Sequence, residues 1–434
     1  MIVEQTEQAL QVKDNTVQLD PAILAGCIHC GLCLPACPTY VSTGREMESP
    51  RGRIYIVNEW TKGNIELDSD ALGHLDSCLG CLGCETACPS GVKYEAIINA
   101  ARPHIAQARP AASRQFMRYI FAKVLPDYGL LRFLGGAIDF WQKLGGKQMM
   151  SMTPLINKLF AKIIEWQDLL PPMPKFIPLP KQSWKSGEKQ GSVNLFSGCV
   201  MDVFYNHVNH AAIRLLCLQR QIVQVPEQTC CGALAFHAGE SDIAIDLAKK
   251  NIELFESTKG PIIVTAAGCG AMLKGYGELL ASDNEWATRA HDFSQRVEDV
   301  TQFLASHEFA GQPKVMNNKV AYHAACHLSH AQGVRGVNEK LLECIPGVEP
   351  VKLVDAEQCC GSAGIYNLLH ANMSEKILER KVECIAQTGA DTVVTTNPGC
   401  ILQIEAGLRQ AQLPVKVMHT VQLLDEAYAA EDSI

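Results

Sequence analysis

The chain is predicted to be a multidomain protein of mixed α+β and α/β class. A cysteine-dense helical module comes first, followed by a pseudo-twofold tandem of two α/β units. Two observations predict this. The cysteines fall into two pairs of internal repeats, which means one structural unit used twice in each case. Beyond residue 190, short runs rich in Val and Ile alternate with longer stretches whose apolar residues lie three and four apart, the pattern of strands alternating with amphipathic helices. A length of 434 residues, two to three times the commonest domain size, requires more than one domain.

Composition narrows the function. Hydrophobic residues at 47% and charged residues at 19% describe a chain that folds rather than one that is intrinsically disordered. A net charge of -8 disfavours phosphate backbones, so nucleic acid is not an expected partner. Residues 1–20 carry Glu4, Glu7 and Asp14 against one lysine, with no basic-then-apolar pattern, and the expected location is the cytoplasm. There, 19 cysteines, an odd number, read as metal ligands or redox groups rather than as a disulfide framework. The longest comparable apolar run, the 13 residues from Pro261 to Leu273, is too short to span a bilayer and reads as a buried strand and turn.

The first repeat is short. Cys27, Cys30, Cys33 and Cys37 before Pro38 recur 51 residues later as Cys78, Cys81, Cys84 and Cys88 before Pro89. Three cysteines two residues apart let one tight loop hold three corners of an iron-sulfur cubane. The fourth, followed by proline, points to a second cluster, as in bacterial two-cluster ferredoxins. The crossover gives Cys27, Cys30, Cys33 and Cys88 for one [4Fe-4S] cluster and Cys78, Cys81, Cys84 and Cys37 for the other. Gly26, Gly31, Gly80 and Gly83 suit a backbone that must approach sulfur closely. A pair of zinc knuckles is the alternative, but zinc sites seldom show this spacing. His29 is surplus to a complete cysteine set. Arg51 and Arg53, between the motifs, are expected either to tune a cluster or face a partner, or simply to lie solvated at the surface.

The second repeat is long. Cys199, Cys230-Cys231-Gly232 and Cys269 are echoed by Cys326, Cys359-Cys360-Gly361 and Cys400, with the first cysteines 127 residues apart. Adjacent cysteines reach different atoms of a cluster more readily than they chelate one metal, so these eight are candidates for a third iron-sulfur site in a crevice shared by the two units. Buried cysteines without iron and a redox-active dithiol are the alternatives. His237, His323 and His327 could donate to sulfur or relay a proton, although each stands alone in the sequence and suits ordinary packing. Cys217, Cys344 and Cys384 are left over; Cys217 and Cys344 lie in apolar text and read as buried helical residues. No catalytic residue set, no G-x-G-x-x-G and no P-loop is visible, so neither a flavin nor a nicotinamide site is expected.

The expected strands are Val193 to Phe196, Pro261 to Thr265, Lys319 to Tyr322 and Thr392 to Thr396, each ending at or just before a motif cysteine, where α/β sheets place their sites. The clearest helices are Ile243 to Phe255 and Met373 to Ile385. Phe116 to Leu134 and Ile138 to Leu170 lack cysteine and mix apolar with basic residues, and Pro171 to Pro180 is an extended linker. The expected organisation is a tail over 1–20, the two-cluster ferredoxin-like domain over 21–110, a helical connection over 111–190, and Cys-Cys-Gly domains over 191–310 and 311–434.

Together these segments resemble the iron-sulfur subunit of bacterial glycolate oxidase (glycolate dehydrogenase). The likeness extends to ESPRGRI (48–54), TCCGALAFH (229–237), AAGCGAMLKGYG (266–277), HAACHLSHAQ (323–332) and CCGSAGIYNL (359–368). The anaerobic glycerol-3-phosphate dehydrogenase electron-transfer subunit and heterodisulfide reductases are more distant. The resemblance implies that FAD-binding partner subunits oxidise glycolate to glyoxylate while this chain, itself without FAD, passes electrons singly toward the quinone pool. One departure concerns heterodisulfide reductase chemistry: where those copies end C-x-x-C, this chain reads Ala266 to Cys269 and Asn397 to Cys400, with one cysteine each. An electron-transfer subunit for another 2-hydroxy acid or for glycerol 3-phosphate, a thiol-disulfide reductase and a zinc-stabilised scaffold are the competing readings. The basic, aromatic helices of the connecting region are expected either to lie peripherally on the cytoplasmic face of the inner membrane or to pack on the ferredoxin-like module or a partner.

Overall fold

A computed structural model describes residues 21–144, 173–184 and 190–428. The expected 1–20 tail and most of the second apolar segment, 145–170, lie outside the described residues. The cysteine-dense module has helices but no strands among its described residues. Its principal helices are Pro38–Thr43, Pro50–Thr61, Ser69–Asp76 and Tyr94–Ala108. Local chemistry sets their starts. Pro38 and Pro50 occupy first-turn positions that need no amide donor, and the side chains of Ser49 and Asp68 accept the amides of Gly52 and Ala71 at 3.0 and 2.8 Å. Ile56, Val57, Trp60, Leu75, Ile97, Ile98 and Ala101 close the small core between these helices and the cysteine loops.

The connecting helices Ala111–Tyr119 and Tyr128–Lys143 do not pack chiefly on the ferredoxin-like module. They lie against the first α/β unit, where Phe121 enters the core. Arg132 grips the buried Asp202 at 2.7 and 3.2 Å, and Arg114 and Arg118 both reach the buried Glu240. Phe116, Tyr119, Phe133 and Phe140 stay exposed on the outer face. Residues 173–180 form neither helix nor strand, in keeping with their prolines.

Each α/β unit carries a sheet with the same strand order. In the first, β1 (Gln182–Ser183), β2 (Gly191–Phe196), β3 (Gln221–Gln224), β4 (Ile262–Val264) and β5 (Val297–Asp299) run in the order β1-β3-β2-β4-β5, all parallel except the β1 edge. In the second, β6 (Asn318–Tyr322), β7 (Val348–Val351), β8 (Thr392–Thr395) and β9 (Lys416–His419) run β7-β6-β8-β9, all parallel. The four strands expected from sequence are β2, β4, β6 and β8, the central ones, whose near-continuous apolar text follows from burial on both faces. The helices expected over 243–255 and 373–385 appear as Ser241–Glu256 and Ala371–Thr388. The 261–273 run is a correction: the strand ends at Val264 and the remainder forms the helix Ala267–Lys274, not a turn, because Ala, Met, Leu and Lys there favour helix.

The two units share one core. Val193, Leu195, Leu215 and Leu216 of the first pack with Val320, Leu341, Val394, Val421 and Leu424 of the second. Polar contacts at the strand ends stitch the join: Ala267 N donates to Thr396 O at 3.0 Å, Gly268 N to Asn397 Oδ1 at 3.1 Å, and His419 Nε2 meets Thr265 O at 2.9 Å. This join fixes where the strand-end loops, and hence the cysteines, face.

Candidate metal centres

The eight motif cysteines of the helical module line two adjacent hollows. Cys27, Cys30, Cys33 and Cys88 surround the first, together with Ile28, Ile54 and Val92. Cys37, Cys78 and Cys81 surround the second, and Cys84 lines both. Cys84 thus stands between the two hollows. Burial pushes the Cys33 thiol up to about 11 and the Cys84 thiol well above its ordinary range, with neighbouring sulfurs adding to both. Bare thiolates are therefore disfavoured here, and a cation bound among the sulfurs would compensate. At least four soft donors around each hollow fit an iron-sulfur cluster.

The loops hold their shape through left-handed residues that recur at the 51-residue offset. His29 and Gly80 have φ of 55° and 65°, and Gly31 and Leu82 have 80° and 62°. Each loop thus uses glycine at only one of two equivalent positions, so glycine counting alone missed His29 and Leu82. Gly26 and Gly83 do not use a positive φ. An arginine closes over each loop glycine: Arg51 beside Gly31 and Arg102 beside Gly80, again 51 residues apart.

Arg53 is buried, so the solvated reading fails for it. It donates to Glu48 Oε2 at 2.9 Å, Ser77 Oγ at 2.8 Å, Thr39 Oγ1 at 3.1 Å and His74 O at 2.7 Å. Burial raises the Glu48 carboxyl pKa, but hydrogen bonds from Ser77 and His74 and the charge of Arg53 outweigh it and keep the group anionic. Arg51 is half exposed and pairs with Glu46. Tyr94, which sequence reading did not single out, lies beside both hollows and donates from its hydroxyl to Cys78 Sγ at 3.5 Å, while Gly80 N reaches the same sulfur at 3.4 Å.

The second repeat places its cysteines where strands give way to loops. Cys199 opens the helix after β2, Cys230-Cys231 follows β3, and Cys269 lies in the helix after β4. Strand order reverses between β2 and β4, a topological switch point that α/β sheets use for ligands. Cys199 and Cys230 Sγ stand 3.7 Å apart. Tyr276 and Asn251 fix the pair by hydrogen bonds to Cys231 O at 2.8 Å and Cys230 O at 3.0 Å. In the second unit Cys326, Cys359, Cys360 and Cys400 occupy the matching places and are all buried. One ring nitrogen of His323 and the sulfurs of Cys360 and Cys400 lie within 4.8 Å of one another.

The module and the second unit meet at these sulfurs: Leu79 and Cys81 pack with Cys326, Cys359 and Tyr366, and Tyr366 Oη donates to Ser77 O at 3.0 Å. A crevice at the junction is lined by Asp76, Arg102, Arg109, His237, Tyr366 and His370. His237 and His327 are brought together, their rings 5.3 Å apart. Arg102 Nη1 donates to His237 Nδ1 at 2.6 Å, and His327 Nδ1 lies 3.6 Å from Cys326 Sγ. Burial, then the charge of Arg102, lowers the His237 pKa well below the ordinary range, and burial first of all lowers that of His327 to about 4. Of the surplus cysteines, Cys384 is buried and Cys217 half-buried, but Cys344 is exposed, contrary to expectation, because its helix ends at Glu343. No two of the 19 cysteines are bonded to each other.

Comparison with known proteins agrees with this geometry. A 4Fe-4S dicluster domain matches residues 23–92, and a cysteine-rich domain matches 193–274 and again 320–405. The chain is 36% identical to the probable glycolate oxidase iron-sulfur subunit of Bacillus subtilis, covering 97% of this chain and 98% of the relative. It is 29% identical to the glycolate oxidase iron-sulfur subunit of Escherichia coli, covering 98% and 100%. A lactate utilization protein A from a Geobacillus strain is 32% identical over 54% of this chain and 98% of its own length. The chain belongs to the glycolate oxidase iron-sulfur subunit family.

Proposed function

We propose that this chain is the electron-transfer subunit of a flavin-dependent glycolate dehydrogenase. In this reading, FAD-binding partner subunits oxidise glycolate to glyoxylate, and the quinone pool is the eventual acceptor. Cys27, Cys30, Cys33 and Cys88 would hold one [4Fe-4S] cluster, and Cys78, Cys81, Cys84 and Cys37 the second. Cysteines from the set 199, 230, 231, 269, 326, 359, 360 and 400 would hold a third iron-sulfur site. Such clusters supply one-electron redox chemistry. The protein's part is to hold them close and to set the charge around them.

The observation that carries the reading is the abutment of Cys81 and Leu79 on Cys326 and Cys359, which makes the two kinds of cysteine site neighbours through buried contact. Electrons move between centres only where they are close, and the fold brings the dicluster module directly against the second unit. Arg53, Tyr94 and the Gly80 amide direct positive charge and hydrogen-bond donors at the sulfurs around the second hollow.

Among the described residues no helix is long and apolar enough to cross a membrane. The exposed Phe116, Tyr119, Phe133 and Phe140 favour peripheral docking on the cytoplasmic face of the inner membrane. Co-flotation of the chain with anionic vesicles, lost on replacing Phe133 and Phe140 by Ser, tests that placement.

The central test is Cys84→Ser in the assembled complex. Electron transfer from glycolate to dye should be lost while glycolate still reduces the partner's flavin. Loss of flavin reduction with assembly intact would overturn the division of labour. A parallel screen of glycolate, lactate and glycerol 3-phosphate addresses the substrate, since a relative named for lactate utilization matches 54% of this chain.

A further inference from the structure

His323 is the last residue before the first motif loop of the second unit. It has no accessible surface, and neither ring nitrogen has a hydrogen-bond partner. An imidazole buried with both nitrogens unsatisfied carries a desolvation cost of about 1–3 kcal/mol for each bare polar atom, which a native fold seldom leaves uncompensated. The Ala356 carbonyl is near enough to act on the ring, but it already accepts the Ala324 amide at 3.1 Å and satisfies neither nitrogen. What the ring does face is sulfur: one of its nitrogens, Cys360 Sγ and Cys400 Sγ all fall within 4.8 Å of one another, and all three residues are buried.

The first unit lacks this arrangement. At the 127-residue offset that relates Cys326 to Cys199, His323 corresponds to Phe196, which is equally buried but packs against Phe255 with ring centroids 6.2 Å apart. The same backbone position is therefore apolar in one copy and a nitrogen donor in the other. Lys381 adds a second difference in kind, a buried ammonium whose charge acts on Cys360 and Cys359 and offsets negative charge gathered there. Two thiolates and one neutral imidazole form a donor set that suits iron, and a metal would satisfy the nitrogen that the protein does not.

We propose that His323 is a metal ligand, holding iron together with Cys360 and Cys400 in the second Cys-Cys-Gly unit, at a site for which the first unit has no counterpart. The proposal deepens the third-site reading above. Exchange of a thiolate ligand for a neutral imidazole removes negative charge and raises the potential of an iron centre, as in Rieske clusters, which makes this unit the more oxidising end of the chain.

The test is anaerobic reconstitution of the full chain with ferrous iron and sulfide, followed by iron counting and pulsed EPR on protein grown with natural or 15N-labelled histidine. Two [4Fe-4S] clusters account for eight irons. The expected result is iron beyond eight and a nitrogen hyperfine coupling that changes on labelling. His323→Phe, which copies the first unit, should lose both while the dicluster signals remain. His323→Cys should keep the extra iron and lose the coupling, which guards against misfolding of the phenylalanine variant. Extra iron with no histidine coupling, zinc in place of that iron, or a His323→Phe spectrum identical to the parent would overturn the proposal. A parent holding eight irons and no more would also overturn it while leaving the dicluster reading intact, whereas a parent holding none would refute that reading itself.

Discussion

Arg53 Nη1 lies 3.9 Å from Cys37 Sγ, in the only part of the dicluster module where a guanidinium is both buried and paired with a buried carboxylate among the described residues. The pair makes the charge beside the second hollow adjustable in both directions. Arg53→Gln removes a positive charge and should lower the potential of the cluster proposed for Cys37, Cys78, Cys81 and Cys84. Glu48→Gln removes a negative charge and should raise it. A unit charge several ångströms away at an effective dielectric near 20 corresponds to shifts on the order of 100 mV. Redox titration followed by EPR measures both, and shifts of the same sign would refute the electrostatic account. Arg53→Gln also leaves Glu48 without its buried partner and should cost about 3 kcal/mol of stability.

Tyr94 provides a finer adjustment. Its hydroxyl hydrogen bond to Cys78 Sγ favours the more electron-rich sulfur, so Tyr94→Phe should lower the same cluster's potential. A hydrogen bond with a net worth of about 1 kcal/mol translates to roughly 40 mV for one electron. The other cluster should move less, because the hydroxyl contacts sulfur only at Cys78.

Gly80 and Gly44 separate backbone strain from close packing. Both have φ of 65°, but a Cβ on Gly80 would stand 2.4 Å from Arg102 Nη2, whereas one on Gly44 would meet nothing within 4 Å. Gly44→Ala should cost about 1–2 kcal/mol for the left-handed backbone alone. Gly80→Ala should cost roughly 2 kcal/mol more by displacing Arg102 from His237, and should halve the iron retained by the dicluster module. Thermal midpoints and iron analysis of the two variants provide the comparison.

His419 makes the join between the two units sensitive to acid. Burial lowers its pKa to about 4 from an ordinary 6.5, and its ring is held by Thr265 O and by the Val421 amide. The folded state disfavours the protonated ring, so the associated stability is complete above pH 6.5 and is lost as pH falls toward 4. Integrated over that window the loss is on the order of 3 kcal/mol. His419→Gln, which keeps a donor for Thr265 but does not titrate, should flatten the fall in unfolding midpoint between pH 7 and pH 5. An unchanged slope would assign the acid sensitivity to other groups.

The spacing of cysteines along the chain determined the two-cluster motif and the tandem repeat, because loop geometry over a few residues is a local property of the sequence. The apolar text of β2, β4, β6 and β8 was legible for a similar reason: central strands buried on both faces leave a continuous signal. The flanking strands β3, β5, β7 and β9 were not read, because at three or four residues each, with Gln, Glu, Asp or Lys among them, they leave little periodicity. Tertiary structure alone decided that Arg53 is buried, that His237 meets His327, that Cys81 abuts Cys326, and that His323 rather than a further cysteine faces Cys360 and Cys400. Each of these depends on groups from distant parts of the chain losing water together, and the energy of that shared desolvation has no signature in the order of residues.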